Sequence, residues 1–195
     1  MILASASIIR GQLLSQAGIA FDVEPAKLDE DEIKRSFKAE GAAASDAAIA
    51  LAEAKAARVS NRHAGALVIG ADQILVCDDV WFDKPAEVPD ARRQLLALRG
   101  KSHHLVTAVC LYRDGLRLWH HVETPRLTMR DFSDDFLADY LEVCGADLLS
   151  SVGAYQLEGR GAQMFQRIDG DYFSVLGLPL LALLAVLRDH RAIAA

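Results

Sequence analysis

An aspartate stands inside an apolar run, Val68-Ile-Gly-Ala-Asp72-Gln-Ile-Leu-Val76. A carboxylate in such a run should be buried or nearly so, and burial without cations, a metal or several donors is costly. That makes Asp72 a candidate for chemistry. The alternative is a structural aspartate bonded to turn amides. Gly70 and Ala71 would let a ligand or another backbone approach closely. Lys84, before Pro85, follows an expected hairpin that returns the chain toward the level of Asp72, so it can face the same cleft. Lys55 lies in the alanine-rich stretch Ala54-Lys-Ala-Ala-Arg58. A solvated face is its ordinary reading, yet alanines permit close packing and one long cation can reach a phosphate. The acidic run Asp29-Glu-Asp-Glu32 can supply a metal ligand, since Mg²⁺ takes one or two protein carboxylates beside phosphates and water. Such runs are otherwise solvated surface.

A second group sits at the start of the chain. Met1 to Leu3 reads as a strand and runs through Ser5 and Ser7 into a helical pattern carrying Arg10. A strand, a small-residue turn and a helix N-terminus present free backbone N–H groups to an anion. Serine hydroxyls and a guanidinium add donors suited to phosphate. Serine as an ordinary helix cap is the plainer reading. Later, Gly153-Ala-Tyr-Gln-Leu-Glu-Gly-Arg-Gly161 has the glycines of a ligand-contacting loop, or of a common surface loop. In it, Glu158 could accept two N–H donors from a guanine edge or neutralise a cationic base.

The elements that must position these groups follow from periodicity. Ile8 to Ala17 reads as a helix stopped by Gly18, and Phe21 to Val23 as a short strand. Lys27 to Glu32 reads as an acidic loop, followed by a helix from about Ser45 to Val59. Ala66 to Cys77 reads as a buried strand, a break at residues 70–73 and a continuing strand. Asp78-Asp79 reads as a turn returning through Val80 to Phe82. Pro89 to Leu98 is an expected helix ending at Gly100. Leu105 to Tyr112 and Leu116 to Val122 are strands joined by Asp114-Gly115, a hairpin signal. Ser133 caps a helix to Cys144, Ala162 to Ile168 reads as a strand, and Pro179 admits a buried C-terminal helix. Hairpins interleaved with helices point to α/β architecture with a mixed sheet.

Composition narrows the class. The chain has 195 residues, 52% hydrophobic and 25% charged, which suits one globular domain, with or without two lobes. A net charge of −6 argues against a general nucleic-acid surface, although a local cleft can still be positive. Cys77, Cys110 and Cys144 are far apart and lack zinc spacing, so reduced core thiols in a cytoplasmic protein are expected. The first residues lack a charged n-region and a long apolar h-region, so no signal peptide is expected. The longest apolar run, Val175 to Leu187, is interrupted and too short to span a bilayer. His103-His104 and His120-His121 alternate across strands, so one of each pair should face solvent. Neither GxxxxGK[ST], GxGxxG nor GxSxG occurs.

Taken in order, these motifs resemble the Maf family of nucleoside triphosphate pyrophosphatases over essentially the whole chain. Leu3-Ala-Ser-Ala-Ser-Ile-Ile-Arg-Gly-Gln-Leu-Leu14 resembles its LASxSPxRRxLL, and Leu28-Asp-Glu30 its VDE. Lys55 stands at the lysine of its AxxKA helix, Val68 to Gln73 at VIGADx, and Asp83-Lys-Pro85 at GKP. Val152 to Tyr155 with Glu158 to Gly161, then Phe165 to Gly170 and Leu176 to Pro179, resemble its later blocks. The resemblance implies an inosine-triphosphatase-like α/β fold, a mixed β-sheet with flanking helices and a cleft between two lobes. It implies cleavage between the α- and β-phosphates to a nucleoside monophosphate and pyrophosphate, a divalent cation (Mg²⁺ or Mn²⁺) and a homodimer.

On that resemblance Asp72 orients or deprotonates water and helps hold metal, with Glu30 as the second carboxylate. Arg10, Lys55 and Lys84 neutralise the phosphates, and Ser5 and Ser7 bind them. Gln73 and Glu158 resemble the branch that prefers 7-methyl-GTP, whose methylated ring is cationic; a dTTP/UTP preference is the alternative. Gln156 stands where a small residue is usual and would narrow a base pocket. Ile8 replaces the family's proline and Gly11 the second arginine of its RR pair, so Gly11→Arg is expected to tighten triphosphate binding. A nucleotide-binding regulator of cell division with weak catalysis, in line with the older name septum formation inhibitor, is the reading from a different class.

Overall fold

A computed structural model describes residues 1–194. The chain runs β1 (Ile2–Leu3), α1 (Ile8–Gln16), β2 (Asp22–Val23), α2 (Glu30–Ala39), α3 (Ala44–Ser60), β3 (Val68–Cys77) and β4 (Val80–Phe82). It continues with α4 (Val88–Leu98), β5 (Ser102–Arg113), β6 (Leu116–Glu123), β7 (Arg126–Met129) and α5 (Asp134–Cys144). Short 3₁₀ turns over Gly145–Ser150, Val152–Ala154 and Arg160–Met164 lead to β8 (Phe165–Asp169), α6 (Tyr172–Val175) and α7 (Leu180–Asp189). The class is mixed α/β, as its hairpins and helices suggested. Two compact units are built from this order.

The first unit holds Met1–Gln73, Val106–Glu123 and the chain from Asp171 on. β1 pairs in parallel with β2 and with β3, Ile2 opposite Val68 and Leu3 opposite Ile69. A parallel strand covered on both faces wants apolar residues throughout, and β1 and the start of β3 are buried. Helix α3 lays Ala47, Ala48, Leu51, Ala52 and Ala56 into this core. Its small residues let it come so close to β3 that a Cβ on Gly70 would lie 2.2 Å from the Ala52 carbonyl oxygen. Gly70 is therefore spent on a helix backbone, and β3 is one continuous strand where a break was expected at residues 70–73.

Helix α2 corrects the loop reading of Lys27 to Glu32. Asp29 caps it, its Oδ1 accepting from the Glu32 N–H at 2.9 Å, and three acidic residues fill the first turn. Acids there complement the positive helix end, so the charge run is a helix start. α2 buries none of its residues.

The second unit holds Ile74–Leu105 and Thr124–Gly170. Asp78 and Asp79 both adopt positive φ (49° and 62°), the turn that carries the end of β3 antiparallel into β4. β7, which periodicity missed at four residues, pairs antiparallel with the start of β5 and with β8. The strand expected from Ala162 begins only at Phe165, because a 3₁₀ turn occupies Arg160–Met164. Leu75, Leu95, Leu98, Leu105, Leu127 and Met129 are fully buried here. His103 is buried and His104 exposed, and on β6 His120 is exposed, as strand alternation requires. Among the described residues no helix is long and apolar enough to cross a membrane.

Candidate functional site

Asp72 is buried in the middle of β3, and α3 brings Lys55 to it. Lys55 Nζ donates to Asp72 Oδ1 at 2.6 Å and pairs with Glu30 Oε1 at 2.9 Å. The Lys55 and Asp72 side chains are 8% and 7% exposed, whereas Glu30, at the first position of α2, is 40% exposed. One ammonium thus joins a buried carboxylate to one open to solvent. Lys55 is not on a solvated face: the alanines around it allow the helix to press on the sheet, and its stem is buried with them.

Asp72 Oδ2 is buried and has no hydrogen-bond partner among the described residues. An unpaired carboxylate oxygen in such a place calls for a cation or a donor from outside the chain. Two carboxylates, one of them with a free buried oxygen, fit a hard divalent cation that keeps water or ligand oxygens in the rest of its shell. No group of three or more His, Cys, Asp or Glu suited to a metal occurs among the described residues.

Arg10 is also buried, 8% exposed, and is clasped by main chain. Its Nε donates to the Gly177 carbonyl at 2.7 Å and its Nη1 to the Ala71 carbonyl at 2.9 Å and to Ser5 Oγ at 3.0 Å. Burial lowers the guanidinium's pKa, while the charges of Asp72 and Glu30 pull it back up. The Ala71 bond fastens Arg10 to the residue preceding Asp72. Ser7 caps α1 with its Oγ 3.5 Å from the Arg10 N–H, and Ser5 Oγ accepts from the Ser7 N–H at 3.3 Å. Both serines therefore act first as acceptors that shape the turn and hold Arg10. Gly11 does not point toward this cluster: an added Cβ would lie 3.8 Å from the Phe21 ring.

Gln73 turns away from Asp72. Its Nε2 donates to Thr107 Oγ1 at 2.8 Å and to the carbonyls of Ser174 and Val175 at 3.0 and 3.2 Å. Sequence reasoning missed Gly177, Thr107 and Ser174 as neighbours of these groups. Gly177 has a signal after the fact, since its φ of +98° favours glycine.

Ser5, Ser7, Arg10, Glu30, Lys55, Asp72 and Gln73 all fall in the first unit. Lys84, Gln156 and Glu158 fall in the second. Lys84 is exposed just after β4, and Glu158 is exposed on the glycine-rich loop. Gln156 Nε2 donates to Ser150 Oγ at 2.9 Å, and Gln156 helps line a cavity of about 220 Å³ with Tyr140, Cys144, Leu148, Arg160 and Gly161. The loop is folded tightly, for a Cβ on Gly161 would lie 2.4 Å from the Gln156 carbonyl oxygen. Burial raises the Tyr140 hydroxyl's pKa, and Cys144 beside it adds more to the rise than the charge of Glu158 does.

Comparison with known proteins follows the same residues from end to end. A family model described as "Maf-like protein" matches residues 1–190. The chain is 56% identical over 193 residues to a nucleoside triphosphate pyrophosphatase of Granulibacter bethesdensis, covering 99% of this chain and 98% of that one. It is 57% identical over 189 residues to one of Paramagnetospirillum magneticum, covering 97% of each. It is 48% identical over 193 residues to a 7-methyl-GTP pyrophosphatase of Mesorhizobium japonicum, covering 99% of this chain and 97% of that one.

Proposed function

Because the chain belongs to the Maf family, we propose that it is a nucleoside triphosphate pyrophosphatase that cuts between the α- and β-phosphates. The observation that carries this reading is the buried Asp72, held through Oδ1 by Lys55 while Oδ2 stays unpaired. A carboxylate so held presents one fixed oxygen to whatever binds there. In this reading the Asp72 carboxylate orients a water and takes its proton as the water oxygen attacks the α-phosphorus. The bond from that phosphorus to the bridging oxygen breaks, and pyrophosphate leaves with the bond's electron pair. Lys55 holds Asp72 in place through Oδ1, and its charge lies close to where negative charge builds up. Arg10 spends Nε and Nη1 on the chain, which fixes the direction in which Nη2 can meet a phosphate oxygen. Lys84 is a further phosphate cation in this reading.

A divalent cation, Mg²⁺ or Mn²⁺, would be held by Asp72 and Glu30, and when bound would neutralise phosphate charge and acidify water. Glu158, exposed on its loop, suits the positive ring of 7-methyl-GTP, and Gln156 limits the space beside it. Nothing in this reading needs a nucleic acid or a membrane. It carries the family's homodimer, which sedimentation velocity would register as one species of twice the chain mass.

The test is release of pyrophosphate, rather than orthophosphate, from GTP, 7-methyl-GTP, dTTP and UTP with Mg²⁺ or Mn²⁺. Turnover fastest on 7-methyl-GTP, and lost in Asp72→Asn, supports the reading. A preference for dTTP or UTP would overturn the base assignment alone. Nucleotide binding without turnover in the unaltered chain would point to the regulator.

A further inference from the structure

Two fully buried hydroxyls stand outside the chemistry described above. Thr107 on β5 and Ser174 on α6 are both 0% exposed. Thr107 Oγ1 accepts from Gln73 Nε2 at 2.8 Å and donates to the Ser174 carbonyl at 3.0 Å. Gln73 Nε2 reaches the Ser174 and Val175 carbonyls as well. Ser174 Oγ lies 2.9 Å from both Glu123 Oε2 and Asp171 Oδ2, and the Ser174 N–H donates to Asp171 Oδ2 at 2.7 Å. These bonds converge on one short turn, Asp171 to Gly177.

That turn ends at the carbonyl which receives Arg10 Nε. At Gly177 a Cβ would stand 3.5 Å from both Nε and Nη2 of Arg10, so Gly177 lies directly against the guanidinium. Arg10 is on the first helix and Gly177 near the end of the chain, so no local geometry fixes their distance. It depends on how the turn is anchored, by these side-chain bonds together with the burial of Val175, Leu176 and Leu178. The Ala71 carbonyl and Ser5 Oγ hold the other side of the same guanidinium, which makes its orientation depend on the Gly177 carbonyl and these two acceptors together. A small shift of any of them swings Nη2.

We propose that Thr107 and Ser174 are positioning residues for Arg10: they pin the Asp171–Gly177 turn so that the Gly177 carbonyl aims the guanidinium. This rests on the reading above in which Arg10 meets the phosphates. Neither hydroxyl touches substrate; each acts through main chain on a group that does. Gln73 joins them, which gives its side chain a task other than base contact.

Thr107→Val keeps the shape and removes the hydroxyl, Thr107→Ser restores it, and each is made with Arg10 intact and with Arg10→Lys. The readout is kcat/KM for pyrophosphate release from 7-methyl-GTP and GTP. With Arg10 intact, Thr107→Val should lower kcat/KM roughly tenfold, as a sub-ångström misplacement would, and Thr107→Ser should recover most of it. In the Arg10→Lys background the same change should cost less than about twofold, because the group it aims is gone. An equal loss in both backgrounds, or no loss with Arg10 intact, would overturn the proposal and leave the role of Arg10 standing. If Arg10→Lys by itself leaves kcat/KM unchanged, the phosphate role of Arg10 is wrong and the positioning role falls with it. Urea unfolding checks each variant, and if Thr107→Val does not fold, Ser174→Ala carries the same cycle with the same outcomes.

Discussion

Removing the Lys55 ammonium leaves the Asp72 carboxylate buried without its cation. Breaking a buried pair in this way costs more than the pair contributes, because the surviving charge is stranded. Lys55→Met is expected to lose about 3 kcal/mol in urea unfolding, and adding Asp72→Asn should return part of it. Glu30 adds little to that figure, since solvent screens it. His103 gives a second expectation. Its Nε2 lies 2.7 Å from the Tyr155 hydroxyl, and burial, with His104 adding to it, lowers its pKa from 6.5 to about 4. The unfolded chain therefore takes a proton at this residue near pH 6.5, while the folded chain resists until about pH 4. The stability it contributes is whole above pH 6.5 and is lost as pH falls toward 4, by about 3 kcal/mol. The difference in urea stability between the unaltered chain and His103→Phe, followed from pH 7 to 4, isolates that slope. Gly11 reverses an expectation drawn from sequence. Its Cβ direction leads to Phe21, so Gly11→Arg should leave the apparent KM for nucleoside triphosphate unchanged.

At the scale of elements, the contact of α3 with β3 sets the site. Lys55 reaches Asp72 because alanines on α3 and a glycine on β3 let the two backbones touch. Gly70→Ala puts a methyl 2.2 Å from a helix carbonyl and 2.8 Å from the Ala56 Cβ, neither of which can step aside. The helix must lift, at an expected cost of about 2 kcal/mol in unfolding free energy. Activity should fall further than stability, because the Lys55–Asp72 distance opens with it; kcat/KM measured beside urea unfolding checks both. Helix α2 obeys a different logic. With no buried residue and Glu30 at its start, it depends on its cap and on the Lys55 pair more than on packing. Its expected loop was misread because acidic residues mark solvated coil and a helix N-terminus alike.

For the whole molecule, two strands cross the division between the compact units: β3 starts in the first and ends in the second, and β5 does the reverse. Shared strands couple unfolding, so fluorescence of single-tryptophan variants keeping Trp119 of the first unit or Trp81 of the second should report one coincident urea midpoint. Separate midpoints would show two independently melting units. Most local features were legible in the residues: the cap at Ser7, the paired aspartate turn, the hairpin at Asp114-Gly115 and the buried setting of Asp72. Each depends on neighbours within a few positions, where side-chain size, charge and backbone preference act directly. The missed strand β7 is too short for its alternation to stand out. The candidate site divides along the same line. By itself the sequence determined which groups are capable of phosphate chemistry, because residue type and apolar context suffice for that. Only the tertiary structure decided that Lys55 joins Asp72 to Glu30 and that Arg10 is clasped by Gly177. Those contacts close over long stretches of chain, and their geometry is set by how helices and strands pack.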